Sequence, residues 1–184
     1  MLTNTSKQYD EVVEQCKEIF NAKMTDYGYS WRILRPSSLT DQIYIKANRI
    51  RSIQCKGNQK IQDKIDNEFI AIINYSIMAL IQLESENDHY DKYSEEELSE
   101  KYIDFFNQAK DLMMKKNHDY GEAWRNMRIS SIDDIILMKL MRIKQIEDNC
   151  GKTLVSEGID SNYFDIINYS VFAMILINEQ NSKE

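Results

Sequence analysis

Apolar residues recur along this chain at intervals of three and four, the period of one face of an α-helix. The clearest run places Ile132, Ile135, Ile136, Leu140, Ile143 and Ile146 on a single stripe. Six segments carry this pattern and predict helices over about 7–24, 39–54, 61–83, 94–116, 132–147 and 159–178. Only 5 Gly and 1 Pro punctuate the chain, while Met, Ile, Lys, Glu and Asp are plentiful. That balance favours helix and argues against sandwiches, barrels and disorder, so the expected fold is all-α.

The six segments are two sets of three. At an offset of 93, residues 26–53 match residues 119–146 at 14 of 28 positions. At an offset of 94, residues 65–79 match 159–173 at 8 of 15, and Ile72–Ser76 and Ile166–Ser170 share "IINYS". Two collinear blocks of this kind mark a tandem duplication. The expected organisation is a first repeat over 1–84, an acidic connector over 85–101 and a second repeat over 102–184. Two three-helix units sharing one core form a pseudo-twofold bundle, a symmetric dimer written in one chain.

Asp-Tyr-Gly-x-x-Trp-Arg follows the first helix of each repeat, at Asp26–Arg32 and Asp119–Arg125. Gly28 and Gly121 suit the left-handed cap that ends a helix. Ser38-x-x-Asp41 and Ser131-x-x-Asp134 predict capping boxes at the start of the second helices.

Charges then appear where apolar residues are expected. On a helical wheel Lys139 falls inside the stripe of Ile132, Ile136 and Ile143, with Arg142 at its edge. Lys46 and Arg49 repeat this in the first copy. Asp160 shares a side with Phe164, Ile167 and Val171, and Asn168 lies at the edge of that side; Asp66 and Asn74 are their equivalents. A lysine on a core face must snorkel, pair or meet a ligand. Two readings stand. In one, Lys139–Asp160 and Lys46–Asp66 are internal bridges that set register and add little net stability. In the other, these groups line a pocket. Lys139, Arg142, Arg125, Lys46, Arg49 and Asn168 would then hold phosphate, and Trp124 and Tyr120 would contact a base. Asp119 and Asp160 would hold Mg²⁺, with Asp160 and Asp165 as the catalytic carboxylates. The copies differ: Asp165 is Ala71 in the first repeat and His118 is Thr25.

Charge and cysteine content narrow the setting. The formal net charge is −7, a poor match to nucleic acid or an anionic membrane surface. Three cysteines without a CxxC pattern, and only two histidines, exclude a structural zinc site of the usual kind and fit reduced thiols in a cytoplasm. The N-terminal stretch has neither the basic nor the apolar region of a signal peptide, and no apolar run reaches bilayer length.

The combined elements D-Y-G-x-x-W, S-[IL]-x-D-x-I-x-x-K-x-x-R-I and I-D-x(5)-I-I-N-Y-S resemble the nucleotide modification associated domain family, the first of that name, over most of both repeats. The resemblance implies a link to nucleotide or modified-base pathways. At the level of fold alone the chain is similar to all-α nucleoside triphosphate pyrophosphohydrolases, which hold Mg²⁺ with EExxE and ExxD clusters. Glu96-Glu97-x-x-Glu100 and Glu157-x-x-Asp160 fit those patterns. The first lies in the acidic connector, has no counterpart in the first repeat and suits a helix N-terminus on dipole grounds.

The leading expectation is therefore a cytoplasmic nucleotide-binding protein, with Mg²⁺-dependent phosphohydrolysis as the chemistry such a site would support. It would act on a small phosphate-containing ligand as a monomer with an internal pseudo-dimer, or as a homodimer. The rival is a non-catalytic interaction or scaffold protein whose repeated Lys, Arg and Asp are internal bridges. A sensor of small anions or modified bases, binding without turnover, is a third.

Overall fold

The computed structural model of the protein describes residues 2–57, 64–85, 93–154 and 157–182. Within them the secondary structure is entirely helical. The first repeat contributes α1 (Leu2–Tyr27), α2 (Pro36–Lys56) and α3 (Ile65–Glu84). The second contributes α4 (Glu95–Tyr120), α5 (Ile129–Asp148) and α6 (Ile159–Asn181). A 3-10 turn joins the first two helices of each repeat, at Ser30–Ile33 and Ala123–Asn126.

The helices stack in three layers, each made of one helix from either repeat. α2 and α5 pair on one side, α3 and α6 form the middle, and α1 and α4 cover the other side. The middle pair touches both outer layers and is buried nearly all round. Ile72, Ile73 and Ile77 in α3 and Ile166, Ile167 and Val171 in α6 are all fully buried. A helix apolar on every side belongs at the centre of a bundle, and these two have the most apolar sequences of the six.

Two asparagines tie the layers together and display the pseudo-twofold. Asn74 of α3 accepts from the Tyr102 hydroxyl at 2.7 Å and donates to the Cys16 carbonyl at 3.1 Å. Asn168 of α6 accepts from the Tyr9 hydroxyl at 3.0 Å and donates to the Ala109 carbonyl at 2.9 Å. Each amide thus binds α1 and α4 at once, and each tyrosine reaches into the other repeat. Burial pushes the hydroxyl pKa of both tyrosines well up, so they remain donors.

The ends of the elements differ from expectation in instructive ways. Gly28 and Gly121 do adopt left-handed φ of 60° and 61°, and their N–H groups close on Met24 and Asn117. The expected capping boxes at Ser38 and Ser131 do not form. α2 and α5 begin earlier, with Arg35 and Arg128 as extended N-caps and no side-chain cap. Pro36 at the first helical position starts α2 instead, because its missing N–H has no partner to lose there. The true capping box is Ser94 with Glu97, at the start of α4. Glu95, Glu96 and Glu97 therefore belong to the first turn of α4, where the helix dipole favours them. The expected start of the third helix over 61–63 and the middle of the connector, 86–92, lie outside the described residues.

Candidate functional site

Asp165 is the centre of the second repeat's charge arrangement. It sits in α6, 7% exposed, facing both α4 and α5. Lys139 of α5 reaches its Oδ2 at 2.6 Å, and Lys116 of α4 reaches its Oδ1 at 2.6 Å. Burial pushes this carboxyl up, but the hydrogen bonds and charges of Lys116 and Lys139 outweigh it and hold the pKa below its ordinary value. Two ammonium groups on one carboxylate leave the cluster with a net positive charge.

Beside this cluster opens a pocket of about 370 Å³ between the end of α4, the 3-10 turn and the middle of α6. Trp124, Phe172, Tyr169 and Tyr120 supply aromatic surface, and Asn117, Lys116 and Asp165 supply polar groups. Trp124 lies flat on Phe172, with centroids 4.2 Å apart and ring planes 3° apart. Tyr169 meets Phe172 edge-on at 6.1 Å. Tyr120 is 75% exposed and stands at the rim. Glycine-capped termination of α4 places it there, since the helix continues through Asp119 and Tyr120 before Gly121 turns the chain.

Arg125 supports the pocket from behind. Its guanidinium lies over the Trp124 ring at 4.5 Å and is held by Glu122, Glu179, Thr5 and Gln8. All five of these side chains converge from α1, the turn and α6. Glu122 takes a left-handed φ of 57° to join them, where the first repeat has Tyr29 at a φ of −97°.

The first repeat arranges the same cations differently. Lys46 and Arg49 of α2 both meet Glu68 of α3, Lys46 at 3.3 Å and Arg49 in direct contact. Glu68 is 3% exposed. Its counterpart is Asn162, while the counterpart of Asp165 is Ala71.

The anticipated pairs Lys139–Asp160 and Lys46–Asp66 are thus replaced by Lys139–Asp165 and Lys46–Glu68. Asp160 is exposed in the first turn of α6, beyond the buried segment. A wheel of α6 alone assigns Asp165 to the far side from Asp160, but the middle layer has no solvent side there. Arg142 is exposed, away from the cluster. Arg125 is committed to its network rather than open to phosphate, and Asn168 to Tyr9 and Ala109, although Asn168 also lines the pocket. Asp119 is exposed and lies 3.1 Å from His118. Among the described residues no three His, Cys, Asp or Glu side chains come together as a metal would require. Of the carboxylates expected to hold Mg²⁺ or to act beside it, Asp119 and Asp160 are exposed, and each oxygen of Asp165 holds an ammonium group.

Sequence reasoning passed over Lys116, Asn117, Tyr169, Phe172 and Glu68. Lys116 and Tyr169 recur in the first repeat as Lys23 and Tyr75 and have the look of ordinary helix positions. Asn117, Asp165 and Phe172 stand where the first repeat has Met24, Ala71 and Met78, so the informative signal was the differences.

A family profile described as nucleotide modification associated domain 1 matches residues 23–83 and again 116–177, together more than half of the chain. The chain belongs to that family. Both matches run from the end of a repeat's first helix through most of its third, so each copy of the domain holds one Asp-Tyr-Gly-x-x-Trp-Arg turn. No curated protein and no solved structure matches the chain. No described helix of this family member is long and apolar enough to cross a membrane.

Proposed function

We infer that the protein binds a nucleotide in the pocket of its second repeat. The observation that carries this is the combination at one opening of aromatic walls and a lysine-rich cluster, in about 370 Å³. That volume is at the small end for ligand sites and suits a nucleoside with its phosphate toward the rim. The base lies against Phe172, Tyr169 and Tyr120. Trp124, already carrying Phe172 and Arg125, acts as wall rather than free platform. Lys116, about half exposed, has hydrogens to spare beyond its bond to Asp165 and takes the phosphate. Lys139, 13% exposed, holds Asp165 in place from behind. The family's association with nucleotide modification supports the same reading. The geometry supports binding rather than hydrolysis. Three free thiols, Cys16, Cys55 and Cys150, accord with a cytoplasmic setting.

Calorimetric titration of the full chain with mononucleotides and their nucleosides tests this. Lys116→Ala is expected to weaken mononucleotide binding about tenfold, about 1.4 kcal/mol, while nucleoside binding stays unchanged. Absence of binding by every mononucleotide would sink the reading.

The scaffold reading keeps one observation in its favour: Lys46 and Lys139 both end on buried carboxylates. It predicts that Lys116→Ala alters no ligand affinity because there is none to alter.

A further inference from the structure

We propose that the pocket reads an oxo group on the base of its ligand through the side-chain amide of Asn117. This rests on the reading of the pocket as a nucleotide site and goes on to name the class of base. Asn117 lies in the last turn of α4, is 5% exposed and lines the pocket. The indole N–H of Trp124 sits 3.2 Å from its Oδ1. An indole nitrogen only donates, so this contact fixes which end of the amide is oxygen. The NH₂ group must point the other way, where its partner is the Met113 sulfur at 3.0 Å. A thioether is a weak acceptor, so a buried donor is left with most of its hydrogen-bonding capacity unspent.

The other polar groups of the lining are occupied in a way that favours the same ligand. Asp165 divides its oxygens between Lys116 and Lys139. The amide of Asn168 is engaged at both ends, by Tyr9 and by the Ala109 carbonyl. What remains open is the Asn117 NH₂, the spare hydrogens of Lys116 and the hydroxyls of Tyr120 and Tyr169. Lys116 and the Asn117 NH₂ donate only, while the two hydroxyls can donate or accept, so the preference for an acceptor rests on the buried amide and the lysine. A base with a ring carbonyl supplies an acceptor to Asn117. Its amino counterpart sets N–H against N–H and leaves both unpaired, which a buried site penalises strongly.

The first repeat supplies the control. There Met24 replaces Asn117, and the Trp31 indole donates to the Met24 sulfur at 3.3 Å. The fold thus accommodates methionine at this position, and the first repeat has no amide to read with.

The experiment is calorimetric titration of the full chain with two matched pairs, inosine against adenosine 5′-monophosphate and uridine against cytidine 5′-monophosphate. The oxo member of each pair is expected to bind about tenfold tighter or better. Asn117→Met should abolish the purine preference with the thermal melt retained. Asn117→Asp keeps an acceptor for Trp124 and replaces the donor by a second acceptor, so it should move the preference toward adenosine monophosphate. Equal affinities within both pairs in the native protein, or a preference untouched by Asn117→Met, would overturn the role of Asn117 while leaving nucleotide binding in place. If no nucleotide binds the native protein, the underlying reading falls and this one with it.

Discussion

Lys46 and Lys139 occupy the same position in the two repeats, yet they answer to carboxylates almost a helical turn apart. In the first repeat Glu68 lies near the start of α3 and gathers Lys46 and Arg49 together. In the second, that position is Asn162, and the carboxylate has moved three residues along to Asp165. Arg142 is left at the surface, and Lys116 is drawn in from α4. The duplicated cation is the constant part, because a half-buried lysine among Leu and Ile favours a counter-charge in either repeat. The location of that counter-charge is free to drift. Where it moved, it kept its bond to Lys139 of α5, gained Lys116 of α4 and came to border a pocket.

The sharpest way to break this comparison is to make the second repeat resemble the first. Asp165→Ala strands Lys139 beneath the surface and should cost roughly 3 kcal/mol of stability in urea unfolding. Adding Asn162→Glu should restore much of that loss, since it offers Lys139 and Arg142 the carboxylate that Lys46 and Arg49 already use. Failure of the second change to rescue the first would mean that the two repeats do not share a backbone frame at this level.

Asp133 offers a second contrast. It is fully buried in α5, and among the described residues neither of its oxygens finds a hydrogen-bond partner. Its counterpart Thr40 is bonded to the Tyr163 hydroxyl at 2.6 Å and to Glu147 at 2.7 Å. The positions equivalent to Tyr163 and Glu147 are Phe69 and Gln54. Burial pushes the Asp133 carboxyl up to about 7; the nearby Asp134 carboxylate adds to the rise and Arg51 opposes it. A folded-state value above the ordinary 3.8 means that folding favours the protonated acid. The contribution is complete below about pH 4, shrinks as pH rises and is gone above about pH 7. Asp165 has the opposite sign: its contribution is present above the ordinary carboxylate range and is lost on acidification through its lowered value. Asp133→Asn should therefore stabilise the protein at pH 8 by about 2 kcal/mol and flatten the alkaline side of its stability profile, leaving the acid side to Asp165. An unchanged alkaline slope in the variant would show that Asp133 titrates normally.

The smallest effects test the symmetry itself. Tyr9→Phe and Tyr102→Phe each remove one donor from a buried asparagine. Each should cost about 1.5 kcal/mol, and the two costs should agree, because Asn168 and Asn74 have matching partners. Unequal costs would locate a departure from the pseudo-twofold that the backbone does not display.

Much of the fold is legible in the residues alone. Helical periodicity and the two offsets identified six helices and their pairing into repeats, and scarcity of glycine made Gly28 and Gly121 readable as caps. The starts of α2 and α5 were less legible. Ser38 and Ser131 have the right letters for a capping box, but Pro36 begins α2 a few residues sooner and α5 follows the same course. The candidate site was legible only in part. Lys139, Asp165, Trp124 and Tyr120 were visible as unusual residues, while Lys116 and Asn117 looked like ordinary polar positions on a long amphipathic helix.

The chain by itself determined that it would be helical, duplicated and charged on its buried faces, since these follow from period, repetition and the identity of residues on one helix. Which charges meet was decided by the tertiary structure. A helical wheel knows one axis, but Asp165 is buried because α6 has neighbours on both sides, and its partners come from α4 and α5. The same holds for the pocket: Asn117 becomes a fixed, under-used donor only when Trp124 folds back onto it from the next turn of chain.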